Sequence, residues 1–178
     1  MKATRAHSPI EFWFDFASGY AYFAALEIDA LAERHGRSVL WRPFTLGAAF
    51  KVTGAQGLSH TPLKGEYARH DWQRLARLKG VVFKLPARHP KVGRYFQDDL
   101  DTDDPVAIAQ HASLLSLDRD MMLAGMTDSE VKAIARRYGE AAVARGVFGS
   151  PWIFVEDEPF WGSDRLAMVE QWLANGPY

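Results

Sequence analysis

The sequence predicts an α/β fold. Three observations carry that prediction: an aromatic segment of period two near the start, a switch to three-and-four spacing directly after it, and a return to short apolar strands near the end. Residues 9–16, PIEFWFDF, place Ile10, Phe12, Phe14 and Phe16 on one face with Glu11 and Asp15 among the alternates, which is a strand pattern. After Ser18 and Gly19, the residues Tyr22, Phe23, Leu26, Ala30 and Leu31 recur at helical spacing up to Gly36, a suitable helix stop. Ser38 to Phe44, SVLWRPF, reads as a second short strand. Strand, helix, strand is a βαβ unit, and such a unit pairs its strands in parallel.

The stretch from Leu46 to Thr61 carries Gly47, Gly54 and Gly57 and reads as a long irregular connection, of a length that points to function. Helical period resumes after Pro62, with Tyr67, Trp72, Leu75, Ala76 and Leu78 on the apolar side and a stop at Gly80. The segment LPARHPKVGRYF follows as a loop, and the acidic run from Asp98 to Asp104 as surface. Asp104 before Pro105 is an N-cap with proline at the first helical position, opening a helix through about Leu115. Thr127 and Glu130 form a T-x-x-E capping box for a helix carrying Val131, Ile134, Tyr138, Ala141 and Ala142 towards Gly146. The middle of the chain is thus read as three helical segments. Trp152–Val155 and Pro159–Trp161 form a hairpin across Glu156, Asp157 and Glu158. Ser163 caps a last helix with Leu166, Val169, Trp172 and Leu173 on its apolar side, ended by Gly176. The order βαβ, helices, ββα matches a thioredoxin-like core, residues 1–62 and 127–178, with a helical insertion at 63–126.

Composition narrows the function. With 48% hydrophobic and 24% charged residues, the 178-residue chain has the make-up of one folded domain. Its formal charge of -1 includes no basic stripe, so nucleic acid is not an expected partner. Apolar stretches are interrupted by charges well short of the roughly 18 residues that span a bilayer, so no membrane segment is expected. The opening MKATRAHSP has no apolar core behind its basic residues, and the reading is a cytoplasmic protein. The absence of cysteine excludes disulfides, cysteine zinc sites, a cysteine nucleophile and dithiol redox exchange. The histidines, His7, His35, His60, His70, His89 and His111, show no ligand spacing, and no metal site is expected. Neither a G-x-G-x-x-G nor a Walker pattern occurs.

In a thioredoxin-like core, chemistry sits where the first strand meets the first helix, because free backbone N–H groups and the helix dipole there favour an anion. Here that junction is Asp15-Phe16-Ala17-Ser18-Gly19-Tyr20. The Ser18 hydroxyl can donate to the sulfur of a bound thiol and lower its pKa. It can equally be only the helix N-cap. Asp15 is either a buried proton acceptor or a hydrogen-bonded structural residue. Some of the aromatic residues can line a pocket for a flat substrate, though most belong to the core.

Four stretches, FDFASGYAYFA (14–24), WRPFTLGAAFKVTG (41–54), ARGVFGSPWIFV (144–155) and FWGSDRL (160–166), resemble the 2-hydroxychromene-2-carboxylate isomerases. That family consists of glutathione-dependent enzymes of naphthalene-type catabolism, grouped with the kappa-class glutathione transferases and the DsbA-like thioredoxin fold. The resemblance implies glutathione as cofactor, with Ser18 facing its sulfur. It implies a cis peptide bond before Pro151, with the backbone of Ser150 pairing with the cysteinyl part, and the γ-glutamyl end at Ser163 and Asp164. A glutathione carboxylate is assigned to Lys64 and an aromatic substrate carboxylate to Lys51. A homodimer is implied as well. The chain departs from the pattern where Gly19 replaces the usual Pro, where Ala55 replaces a frequent Asn, and in a shortened segment between His89 and Asp103. Two other readings stay open: a kappa-like glutathione transferase, and a non-catalytic thioredoxin-like binding protein.

Overall fold

The computed structural model describes residues 8–84, 104–114 and 116–178. The expected LPARHPKVGRYF loop, nearly all of the acidic run and the shortened segment lie outside them. The predicted α/β class holds. Strand β1 (Ile10–Phe14) sits inside a four-stranded sheet of order β2-β1-β3-β4, with β2 (Val39–Pro43), β3 (Trp152–Val155) and β4 (Glu158–Trp161). β1 runs parallel to β2, with Ile10 beside Val39 and Phe14 beside Pro43, and antiparallel to β3, with Phe12 beside Ile153. β3 and β4 form the expected hairpin, one residue tighter than predicted because Glu158 already pairs with Val155.

Helices cover both faces of the sheet, which explains why β1 and β3 are apolar beyond a simple alternation. On one face Ile10, Phe12, Ile153 and Phe160 pack on Ala24, Ile28, Leu31, Leu166 and Val169. These last five come from α1 (Gly19–Ala25), α2 (Ile28–Arg34) and α8 (Leu166–Asn175). On the other face Trp13, Trp152 and Phe154 pack with Phe44, Val147 and Ala142, the last from α7 (Ser129–Ala144). A separate cluster of Phe23, Ala68, Trp72, Ala76 and Phe83 ties α1 to α4 (Lys64–Lys79).

Several expected elements are corrected. The single helix up to Gly36 is two, broken at Leu26 and Glu27, and the break lets α1 stay on the site while α2 follows the sheet. The connection at 46–61 is not irregular: α3 (Leu46–Thr53) runs to Gly54, whose φ of 70° is the left-handed C-cap, and a 3-10 turn spans Leu58–His60. The middle of the chain holds α5 (Pro105–Ser113), capped by Asp104 as predicted, and α6 (Arg119–Thr127), which was not predicted. Asp128, not Thr127, caps α7, because its carboxylate accepts from Glu130 and Val131 while Thr127 closes α6 with a bond to Ala124. Ser163 makes no capping bond. It opens a 3-10 turn, Ser163–Arg165, that leads into α8. On α4, Tyr67 and Leu78 are exposed rather than packed.

Phe12 is fully buried and its ring also meets Phe14 and Trp41. Phe12→Ala is expected to lower unfolding free energy by about 3–5 kcal/mol, read as a lower urea midpoint at unchanged slope.

Candidate functional site

A cavity of about 1130 Å³ opens where β1 ends, bounded by the turn into α1, by α3 and α4, by the loop before β3 and by the segment 161–166. Its frame is a set of hydrogen bonds at Asp15. One carboxylate oxygen accepts from the Ala17 N–H at 2.8 Å and the other from the Leu46 N–H at 2.7 Å, so a single side chain fixes the heads of both α1 and α3. The Asp15 N–H in turn donates to Ser150 Oγ at 2.8 Å. Burial raises the Asp15 pKa above its ordinary value, opposed by the two backbone hydrogen bonds. Of the two roles open to Asp15, the geometry fits the structural one, since both of its oxygens are engaged.

Ser18 lies in extended conformation at the N-cap of α1, its Oγ accepting from the Ala21 N–H at 3.2 Å and donating to the Ser150 carbonyl at 2.8 Å. It therefore is the helix cap. Capping uses an oxygen lone pair and leaves the proton to be given elsewhere, so the cap does not compete with a donor role. The Ser150–Pro151 peptide is cis, and the Pro151 carbonyl accepts from the Gly162 N–H at 3.1 Å, tying this loop to the segment that carries Ser163 and Asp164.

Ser18, Lys64, Ser150, Ser163 and Asp164 all line the cavity, while Pro151 is buried beneath it. Lys51 does not line it: this lysine is exposed on α3, whereas its neighbours Phe50 and Thr53 face in. Asp164 pairs with Arg165 at 3.3 Å, and Lys79 pairs with Glu27 at another part of the rim. Among the described residues Lys64 forms no ion pair.

Among the lining residues that sequence reasoning passed over are Tyr20, Asp71, Phe148 and Trp161. Tyr20 donates to Asp71 at 3.0 Å, and burial, then the Asp71 hydrogen bond and charge, hold its phenol above the usual value, which makes it a neutral donor and not a base. Asp71 was legible as the position two helical turns past Lys64, on the same face of α4. Phe148 and Trp161 stand half-exposed at the cavity with ring centroids 4.7 Å apart. Both fall inside sequence blocks that had been singled out for other residues.

The fold with this junction defines a class. Residues 9–93 and 93–174 match the family model of the DSBA-like thioredoxin domain, and the chain belongs to that family. Within it, the chain is 29% identical to a 2-hydroxychromene-2-carboxylate isomerase of Pseudomonas putida, over 90% of this chain and 92% of the relative. It is 28% identical to the enzyme of the same name from Sphingobium xenophagum, over 92% and 97%. A glutathione s-transferase kappa 2 of Caenorhabditis elegans is 25% identical over 93% of this chain and 91% of its own. In structure, a 2-hydroxychromene-2-carboxylate isomerase superimposes with a TM-score of 0.82 at 23% identity, covering 93% of this chain and 94% of the other. A probable DsbA oxidoreductase from Streptomyces coelicolor follows the same fold, at a TM-score of 0.71 and 14% identity over 96% of this chain and 89% of its own. Without a cysteine, this chain has no dithiol to exchange.

Because the native pKa of Asp15 is raised, the folded state holds a proton that the unfolded state has released in the window between the ordinary carboxylate value and the raised one. Its contribution to stability is full below that window and falls as pH rises through it. Asp15→Asn is expected to remove this slope and, by facing an amide N–H₂ towards one of the two backbone donors, to cost about 1–3 kcal/mol at pH 7. Urea unfolding of both proteins between pH 3 and 7, a range chosen around the carboxylate value of about 3.9, measures both effects.

Proposed function

We propose that this chain is a glutathione-dependent isomerase acting on 2-hydroxychromene-2-carboxylate-type aromatic acids. The observation that carries the reading is the Ser18 hydroxyl, poised at a helix N-terminus against the Ser150 carbonyl in a cavity that also holds Lys64, Ser163 and Asp164. Names of relatives matched over at least nine-tenths of both chains support it.

The residues present fit the cofactor. A peptide carrying an ammonium and two carboxylates meets Asp164 with the start of the 3-10 turn at one side and Lys64, which has no ion pair among the described residues, at another, with the Ser150 backbone between. The cavity exceeds the range of about 300–1000 Å³ typical for one small ligand, leaving room for an aromatic acid beside it. When bound, glutathione supplies a thiolate that adds reversibly to a conjugated carbon, turning a double bond into a single bond about which rotation is easy. The chain's task is to hold that sulfur as an anion. The Ser18 hydroxyl, now donating to the Ser150 carbonyl, reaches a sulfur by turning about the Cβ–Oγ bond, and the first N–H groups of α1 add their dipole. Phe50, Phe148 and Trp161 give the cavity an aromatic wall suited to a flat ring. Residues 63–126 act as an insertion that brings Lys64 and Asp71 to a core formed by 1–62 and 127–178. The working form in this reading is a cytoplasmic homodimer.

A kappa-type transferase would use the same sulfur chemistry and consume the cofactor, and the relative from Caenorhabditis elegans favours keeping it in view. Product analysis separates the two: catalytic glutathione gives isomerised acid and no conjugate. Ser18→Ala is expected to cut kcat by about 10²-fold, with glutathione affinity by calorimetry changed little. Asp164→Ala is expected to weaken glutathione binding by about tenfold or more, the loss of one charge-assisted contact. No heat and no thermal shift with millimolar glutathione would sink both glutathione readings.

A further inference from the structure

Two glycines flank the site serines, and an indole ring occupies the space beside each. Gly19 follows Ser18 and is the first residue of α1. A Cβ there would lie 2.7 Å from Trp72 Cε2, 2.8 Å from Cδ2 and 2.9 Å from Nε1. Gly149 precedes Ser150, and a Cβ there would lie 2.7 Å from Trp161 Cε2 and 2.8 Å from Cδ1. Real Cβ atoms essentially never come this close to other heavy atoms, so neither position accepts a side chain while its indole stays in place.

Trp72 is held from behind, whereas Trp161 is half-exposed and steadied along its strand and at one edge. Trp72 is 2% exposed, wedged among Phe23, Ala68, Ala76 and Phe83, and it meets the Tyr20 ring edge-on at 5.7 Å. Trp161 is paired with Trp152 across β3 and β4 and braced by the edge of Phe148. Both indoles line the same cavity. The two serines they back are bonded to each other, Ser18 Oγ to the Ser150 carbonyl, and each hydroxyl oxygen accepts one backbone N–H: Ala21 for Ser18 and Asp15 for Ser150.

We infer that Trp72 and Trp161 are positioning residues: each fills the volume denied to a side chain at the neighbouring glycine, and together they set the distance and direction of the Ser18–Ser150 contact. Neither donates or accepts a proton in the reaction. Around Trp72 the close-packed interior transmits such a displacement because it has no free volume to absorb it. A methyl group at position 19 pushes the first turn of α1 away from Trp72, and Ser18 Oγ moves off the Ser150 carbonyl. The consequence for turnover rests on the glutathione reading above, but the geometry itself does not.

The Ala21 and Asp15 amides report the two hydroxyls directly, so hydrogen exchange by NMR on the ligand-free protein tests the inference. Gly19→Ala is expected to lower Ala21 protection by about tenfold, and Gly149→Ala to do the same for Asp15, with amides of the sheet interior unmoved. Gly19→Ala combined with Trp72→Leu restores Ala21, because the smaller side chain clears the added methyl. Should Gly19→Ala fail to fold, Trp72→Phe alone gives the opposite perturbation, an opened space, and lowers Ala21 protection without any clash. On the enzyme, the pKa of bound glutathione, followed by thiolate absorbance, rises in Gly19→Ala and returns in the double variant, at nearly constant affinity. Unchanged Ala21 and Asp15 protection in the glycine variants, or a loss that Trp72→Leu fails to reverse, overturns the assignment. Absence of glutathione binding by the unmutated chain removes the functional reading alone, and the amide measurements still decide the packing.

Discussion

The Asp15 carboxylate is the joint on which the site is hung. Its oxygens face two backbone N–H groups that arrive from different directions, one from the turn into α1 and one from the head of α3. Because its own N–H is given to Ser150, three segments far apart in sequence are fixed at the end of one central strand. The carboxylate is half-buried in doing so, and each of its oxygens has a donor. The cavity, the helix start at Ser18 and the loop at Pro151 all take their places from this joint.

Most of the fold was legible because the signals were local and strong. The aromatic alternation of β1, the proline after Asp104 and the FWGSDRL block each name an element or a site from a handful of residues. What was not legible depended on context. Gly47, Gly54 and Gly57 made residues 46–61 look irregular, yet Gly47 is tolerated in the first turn of α3 and Gly54 is its cap. That mistake bears on Lys51. Along a helix, positions 46, 50, 53 and 54 share one side, and position 51 is rotated by about 100° from position 50. Thr127 and Asp128 offered two caps one residue apart, and the carboxylate reached two N–H groups where the hydroxyl was needed by the helix behind it.

At Ser18 the sequence posed capping and chemistry as alternatives, and the geometry dissolves the opposition. The oxygen serves the helix through its lone pair, which fixes where the oxygen sits, while the proton remains to be given to whatever stands opposite. A serine that caps is thus better placed to donate to a further group than one held by neither bond, since its Cβ–Oγ direction is already set.

The charges around the cavity carry a consequence for how a ligand arrives. Arg165 stands against Asp164, Lys79 against Glu27 and Arg74 against Asp71, so these three carboxylates are each screened by a cation, and the whole chain is close to neutral. Such a mouth projects little field beyond a Debye length of about 8–10 Å. For a charged small molecule, encounter with such a mouth is a matter of unassisted diffusion, with rates that hardly respond to salt, and at contact Lys64 offers the one rim cation among the described residues with no carboxylate beside it.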